Sequence, residues 1–510
     1  MPFLTPWFFG GLPLLLLLYY VLPKKAQWPL LLVASMGFYA MASWQGLAFV
    51  LFTVASSYII ALRIDKLKRR QKAHVEQQRD NMSRDERKAF NAREKKRQRG
   101  WLIVGMALNF GLLAAVKIWE TDWVIDRLGL SLIVPLGISF FTFRIMGYLI
   151  DVFWGKAEVQ RNPLKLGLFT MFFPYVLMGP ISRYDHVSKT LLAEKNIDWN
   201  MFGRGLQRMI WGYFKVMVIG FRLIIAVRHL ADVPTDYSGM FAFWAMLVWG
   251  AALYADFTGG IDIAMGIGEC LGVKMEENFL SPFRAKDIFE YWRRWHITMG
   301  TWFRDYVFYP MSVAKPVQKM TSRMKSRSVK RKIQVHVATL ITWFTTGIWH
   351  GVAWNFIVWG LANGVVIMVS QELKPLYERF HKRFPRMQGR GYDAFQVVRT
   401  FLLLTLIRSF DIYMDVPRTF RLFGSFITRP QFGEFFRYIF SARATYFGLS
   451  GFDWLVAALA VAVLIAVPWF RREETKRPPA IFWAAMVLVT LVFGIYGLGF
   501  DIQDFFYMQF

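Results

Sequence analysis

The chain has 510 residues, 55% of them hydrophobic and 19% charged, with a formal net charge of +27. That balance excludes an ordinary soluble enzyme, because the apolar residues gather in runs near the roughly 20 residues that cross a bilayer. It also displaces nucleic acid as the partner of a basic chain: basic loops held on the cytoplasmic side, facing anionic lipid, account for the charge.

Residues 7–22 carry no charge, and Lys24 and Lys25 follow the apolar run instead of preceding it. A retained first span is expected there, not a cleaved signal peptide. Residues 63–100 form the longest polar stretch; it lacks proline and is rich in good helix formers. A helical or partly disordered cytoplasmic hairpin is expected. Apolar stretches follow at 101–116, 131–150, 166–181, 210–227 and 240–254.

A second basic stretch, 315–332, holds six cations between Lys319 and Arg331 and no acid. A third lies at 374–390 and a fourth at 471–477. The positive-inside rule assigns all of these loops to the cytoplasm. Residues 335–370 are apolar between two such loops, so this stretch must cross twice or dip in and return, with its turn at Trp349-His350-Gly351. Apolar stretches at 396–407, 454–470 and 481–500 complete the chain. The expected fold is all-α: a polytopic membrane protein with about 11–13 membrane segments, some re-entrant. No polar stretch is long enough to bury a second core, so one membrane domain over 1–510 is expected.

Of seven histidines, two stand apart. His74 and His381 lie in charged loops, His186 and His229 in polar connections, and His336 borders a basic loop. His350 lies in TWFTTGIWHGVAWNF, apolar and aromatic on both sides. An ionisable group at membrane depth is costly and marks function, although a structural histidine bonded to a carbonyl would read the same way. His296 lies in DIFEYWRRWHITMGTWFRDYVFYP. As a continuous helix, this segment sets Trp292, Trp295, His296, Met299, Trp302 and Phe303 on one face and Arg293 and Arg304 on another, an amphipathic interfacial helix. Its arginines suit phosphate or lipid headgroups equally. Asp256 and Asp262, in YADFTGGIDIAMGIG, are carboxylates in a glycine-broken apolar stretch that need partners or water. Cys270 is the only cysteine, so no internal disulfide and no Cys-based metal cluster is possible. No P-loop, dinucleotide glycine motif, G-x-S-x-G or H-E-x-x-H is present, and the chain offers no cofactor-binding domain.

These residues fall into a familiar pattern. VPLGISFFTFRIMGYLIDV from Val134, MFFPYVLMGPISRYD from Met171, DFTGGIDIAMGIG from Asp256, ENFLSPF followed by EYWRRWHITMGTWFRDYVFYP, GIWHG at 347–351 and the closing FFYMQF occur in this order. Together they resemble the membrane-bound O-acyltransferase (MBOAT) family, in its alginate O-acetylation branch. Tyr291 stands where that branch has phenylalanine, Gly300 where it has serine, and Met311-Ser312 replaces its Leu-Gly.

The resemblance implies an acyltransferase core over 134–370. It assigns the family's invariant histidine to His350 and its second polar position to His296. It makes Arg293, Arg294, Trp295, Arg304, Asp305, Asp256, Asp262 and Trp349 candidates for substrate binding. It implies an acyl thioester, acetyl-CoA, arriving from the cytoplasm, with no bound cofactor and no metal. It implies an extracytoplasmic glycan as acceptor, reached directly or through a separate esterase-like partner. Alginate, cellulose and peptidoglycan all fit. Two other readings stay open: D-alanyl transfer to teichoic acid from a carrier protein, and a transporter or flippase that makes no bond. Paired intramembrane acids and broken helices suit transport as well.

Overall fold

The computed structural model describes residues 2–119, 135–232, 237–385, 389–441, 444–470 and 478–496. The basic stretch 471–477 and the closing FFYMQF lie outside them, as do 131–134 and 497–500 of two expected apolar stretches. Five helices are long and apolar enough to cross a membrane: Gly46–Gln77, Arg84–Trp119, Trp199–Ala231, Met240–Cys270 and Trp354–Arg383. Pro6–Val21, Gly451–Ala466 and Ala480–Phe493 are shorter apolar helices. Others of the expected segments are shorter or more polar, such as Ile138–Trp154 and Arg327–His350. Among the described residues the only paired strands are Thr445–Tyr446 and Leu449–Ser450. The protein is therefore an all-α membrane protein, as a bilayer demands of backbone groups that must be satisfied within each segment.

The chain packs as two compact units, Met1–Leu206 with Ala264–Glu276, and Gln207–Ile263 with Glu277–Phe510. In the first unit, the basic stretch 63–100 is a helical hairpin continuous with two candidate spans. Gln71 donates to Asn91 (2.6 Å) and accepts from Gln98 (2.7 Å) between its arms. Ser83 and Glu86 form a reciprocal cap at the start of the second arm. The same unit joins two of the motifs that carry the family resemblance. Gly137 takes a left-handed φ of 72°, and a Cβ there would meet the Val176 carbonyl oxygen at 2.2 Å, so only glycine lets these segments close. Arg144 is 1% exposed; it donates to the carbonyls of Thr170 and Tyr175, both at 2.9 Å, and lies 3.8 Å over the Tyr175 ring.

In the second unit, the stretch expected to cross twice is an antiparallel helix pair. Helix Arg327–His350 ends at the expected turn and the chain re-enters as helix Trp354–Arg383. Glycines on the facing surfaces bring the arms together, since without side-chain bulk dispersion contacts form directly between backbones. A Cβ on Gly360 would lie 2.4 Å from the Trp343 carbonyl oxygen, and one on Gly347 would lie 2.6 Å from that of Phe356. Neither neighbour is a side chain that can swing away. Gly360→Ala is therefore expected to destabilise the protein by about 1–3 kcal/mol. Thermal denaturation in nanodiscs checks this, with Gly203→Ala as a control that should not destabilise, because nothing lies within 4 Å of that helical position.

Candidate functional site

The segment around His296 departs from the expected continuous helix. Helix Ile288–Arg294 starts on an Asp287 cap, whose carboxylate accepts from the Glu290 N–H at 2.8 Å. It stops at Trp295, and a new helix runs over Ile297–Phe303. Between them His296 takes a left-handed φ of 45°. A non-glycine residue held there costs of order 1 kcal/mol and persists only where its surroundings dictate it. Asn278 dictates it here: its side-chain oxygen accepts from the Thr298 N–H (3.0 Å) and hydroxyl (2.9 Å) and lies 3.2 Å from His296 Nδ1. Its backbone carbonyl accepts from the Ile297 N–H at 3.0 Å. The break rotates the second half of the segment, so Arg293 and Arg304 share no helix face, which corrects the continuous amphipathic reading.

The break aims His296 inward, where it is 1% exposed. Its imidazole lies outside the five spans, and burial pushes its pKa down to about 3. A neutral ring is what hydrogen-bond chemistry in an apolar site requires. The ring packs 5.0 Å from Phe257 and 6.2 Å from Trp349.

His350 is the last residue of helix Arg327–His350 and is half-buried. Its ring centre lies 4.7 Å from those of both Trp349 and Trp359, edge to face. His296 and His350, 54 residues apart in sequence, line one cavity of about 30 Å³. Trp249, Trp292, Trp295, Trp359 and Phe257 wall it. Arg408 and Asp411 complete its polar lining.

The other candidates from the sequence are placed as follows. Trp295 lines the cavity, and Trp349 packs against both histidines. Arg293 is exposed, and Arg294 bonds Glu290 and the Leu280 carbonyl. Arg304 pairs with Asp305 at 2.8 Å, exposed on the arginine side. These four charged residues are not in the cavity wall. Asp256 is fully buried beside Gly220, and neither carboxyl oxygen has a hydrogen-bond partner among the described residues. Asp262 instead joins Arg208 (2.8 Å) and Lys215 (2.6 Å), with Lys215 also donating to Thr258.

Sequence reasoning missed Arg408, Asp411 and Asn278. A signal for the first two existed: an arginine and an acid three residues apart close the apolar stretch 396–407, the same intramembrane-charge argument that singled out His350. Asn278 had only its place in the ENFLSPF motif.

Comparison with known proteins gives the family of the chain. A sequence description of the membrane-bound O-acyltransferase family matches residues 160–414, which include His296, His350, Arg408 and Asp411. The chain is 29% identical to a probable alginate O-acetylase from Azotobacter vinelandii over 375 residues, 71% of this chain and 67% of that protein. It is 28% identical to a peptidoglycan O-acetyltransferase from Helicobacter pylori over 426 residues, covering 76% and 73%. It is 28% identical to a teichoic acid D-alanyltransferase from Bacillus subtilis over 279 residues, covering 53% and 67%. With half of its length matched by the family description, the chain belongs to the membrane-bound O-acyltransferase family.

Proposed function

We propose that this protein moves an acetyl group from cytoplasmic acetyl-CoA across the bacterial inner membrane for O-acetylation of an extracytoplasmic polysaccharide, with its basic loops on the cytoplasmic side. The observation that carries the reading is the meeting of His296 and His350 on one aromatic-walled cavity. Transport does not need that pair.

In the proposed reaction an acceptor hydroxyl oxygen attacks the thioester carbonyl carbon. Its proton passes to the His350 imidazole as the carbon–oxygen bond forms. The carbon–sulfur bond then breaks, and the departing thiolate takes the proton from the imidazolium. His296, locked by Asn278, positions the thioester beside His350. Asp256, one residue before Phe257 in the wall, supports that wall from behind.

Support for a phosphate-bearing donor lies at the other end of the His350 helix. A cleft of about 560 Å³ is lined by Arg327, Arg331, Lys332 and His336. Glu372 engages Lys332 at 2.5 Å and His336 at 2.9 Å, which leaves the two arginines for an anion. Nineteen residues separate Arg331 from His350, about 28 Å along a helix. A donor whose thioester ends a long flexible arm suits that separation. The acceptor is a glycan hydroxyl or an esterase-like partner that relays the acetyl group.

D-alanyl transfer from a carrier protein is the second reading, favoured by the teichoic acid relative. The acetyl reading ranks first because the acetylating relatives match more of the chain. The cavity has room for about two water-sized groups, which fits a two-carbon acyl. Purified protein in nanodiscs is therefore expected to release CoA from acetyl-CoA and to use butyryl-CoA at least about tenfold less well. Absence of acetyl-CoA turnover, together with turnover of a D-alanyl carrier, would replace the first reading by the second.

A further inference from the structure

Arg408 belongs to no motif assigned above, yet it reaches the same cavity as the two histidines. It is 4% exposed, on the last turns of helix Arg390–Tyr413. Its guanidinium lies 3.9 Å over the Trp295 ring, and its Nη2 donates to the Tyr291 hydroxyl. Nη1 is buried and has no hydrogen-bond partner among the described residues. Asp411, one turn further on, lines the cavity as well, and no ion pair joins it to Arg408 within 4.0 Å among them.

A buried donor left without an acceptor is costly, and more so when it is charged. The fork of an arginine is rigid, so fixing one face on Trp295 and one nitrogen on Tyr291 fixes the direction of the rest. A charged donor is thus held on the wall of the cavity that His350 also lines, in an apolar setting where it acts most strongly. The ligand that completes it is an oxygen that carries or acquires negative charge.

We propose that Arg408 is the oxyanion-stabilising group of this site, its Nη1 donating to the thioester carbonyl oxygen of the acyl donor. This rests on the acyl-transfer reading above. As the acceptor oxygen bonds to the carbonyl carbon, the carbonyl π-electron pair moves onto that oxygen and Arg408 stabilises it. When the carbonyl re-forms, the carbon–sulfur bond breaks and its electrons leave with sulfur. Arg408 neither gains nor loses a proton.

The test uses purified full-length protein in nanodiscs with acetyl-CoA, comparing wild type, Arg408→Lys and Arg408→Gln, with melting curves to verify folding. Arg408→Gln is expected to lower kcat by about 10²–10³-fold, with a much smaller change in KM. A second readout is the infrared carbonyl band of a ¹³C-labelled ketone analogue of acetyl-CoA, in which a methylene group replaces the thioester sulfur so that the scissile bond becomes carbon–carbon. In wild type this band is expected at lower frequency than in Arg408→Gln, because a charged donor weakens the carbonyl bond. A wild-type kcat in folded Arg408→Gln overturns the proposal. So does a band that stays where an apolar solvent puts it, which wild type alone can reveal if the variants do not fold. A wild-type protein that turns over no thioester removes the acyl-transfer reading itself, a result distinct from an active wild type with an equally active variant.

Discussion

His350→Ala is expected to abolish acyl transfer while leaving membrane insertion and folding intact. General base catalysis by a positioned histidine contributes about 10²–10⁴-fold. The loss should sit in that range or exceed it, because no other described imidazole but His296 lines the cavity. His296 is a poor substitute. Burial pushes its pKa well below the usual imidazole range, so it does not accept a proton readily. The ring of His350 closes a helix instead of building its interior, so alanine leaves helix Arg327–His350 and its glycine-packed partner in place. The measurement is release of CoA from radiolabelled acetyl-CoA by purified variants in nanodiscs. Full activity in His350→Ala would refute the proposed mechanism.

Asp262→Ala should act on stability instead of on chemistry. Its carboxylate sits between the Arg208 and Lys215 side chains, which are 16% and 3% exposed. Removing it leaves Lys215 with a full charge in an apolar setting. Breaking a buried pair from one side costs about 3–5 kcal/mol, far more than an exposed pair contributes. Arg208 is cushioned by a second partner, Glu277 at 2.6 Å, so most of the penalty falls on Lys215. Asp262→Ala combined with Lys215→Met, which removes the stranded charge as well, should recover much of the loss. Thermal denaturation of the single and double variants checks this. If the single variant melts like wild type but loses turnover, Asp262 belongs to the chemistry and not to the scaffold.

Several features were legible from local pattern. The apolar stretch 335–370 between two basic loops required a return, and the structure turns there at His350. The polar stretch 63–100, free of proline, read as a helical hairpin and is one. The periodicity around His296 was genuine as a burial pattern, since Trp295, His296, Met299, Trp302 and Phe303 are all buried. It misled as a helix because the break is imposed from outside the segment. Asn278, some 20 residues earlier, offers the Thr298 N–H a better acceptor than the helix does. No local propensity records such a competitor.

By itself the sequence determined that the chain spans a membrane, that it is helical, and which two histidines stand in apolar surroundings. Hydrophobicity and charge act residue by residue along the chain, so their pattern is already complete in one dimension. The tertiary structure alone decided that His296 and His350 share a cavity and that Arg408 and Asp411 join them. It also decided that Asp262 closes an ion pair instead of facing that cavity. Those outcomes depend on close packing of segments far apart in sequence, where a single glycine or a single asparagine fixes the approach, and the periodicity of a segment says nothing about its partner.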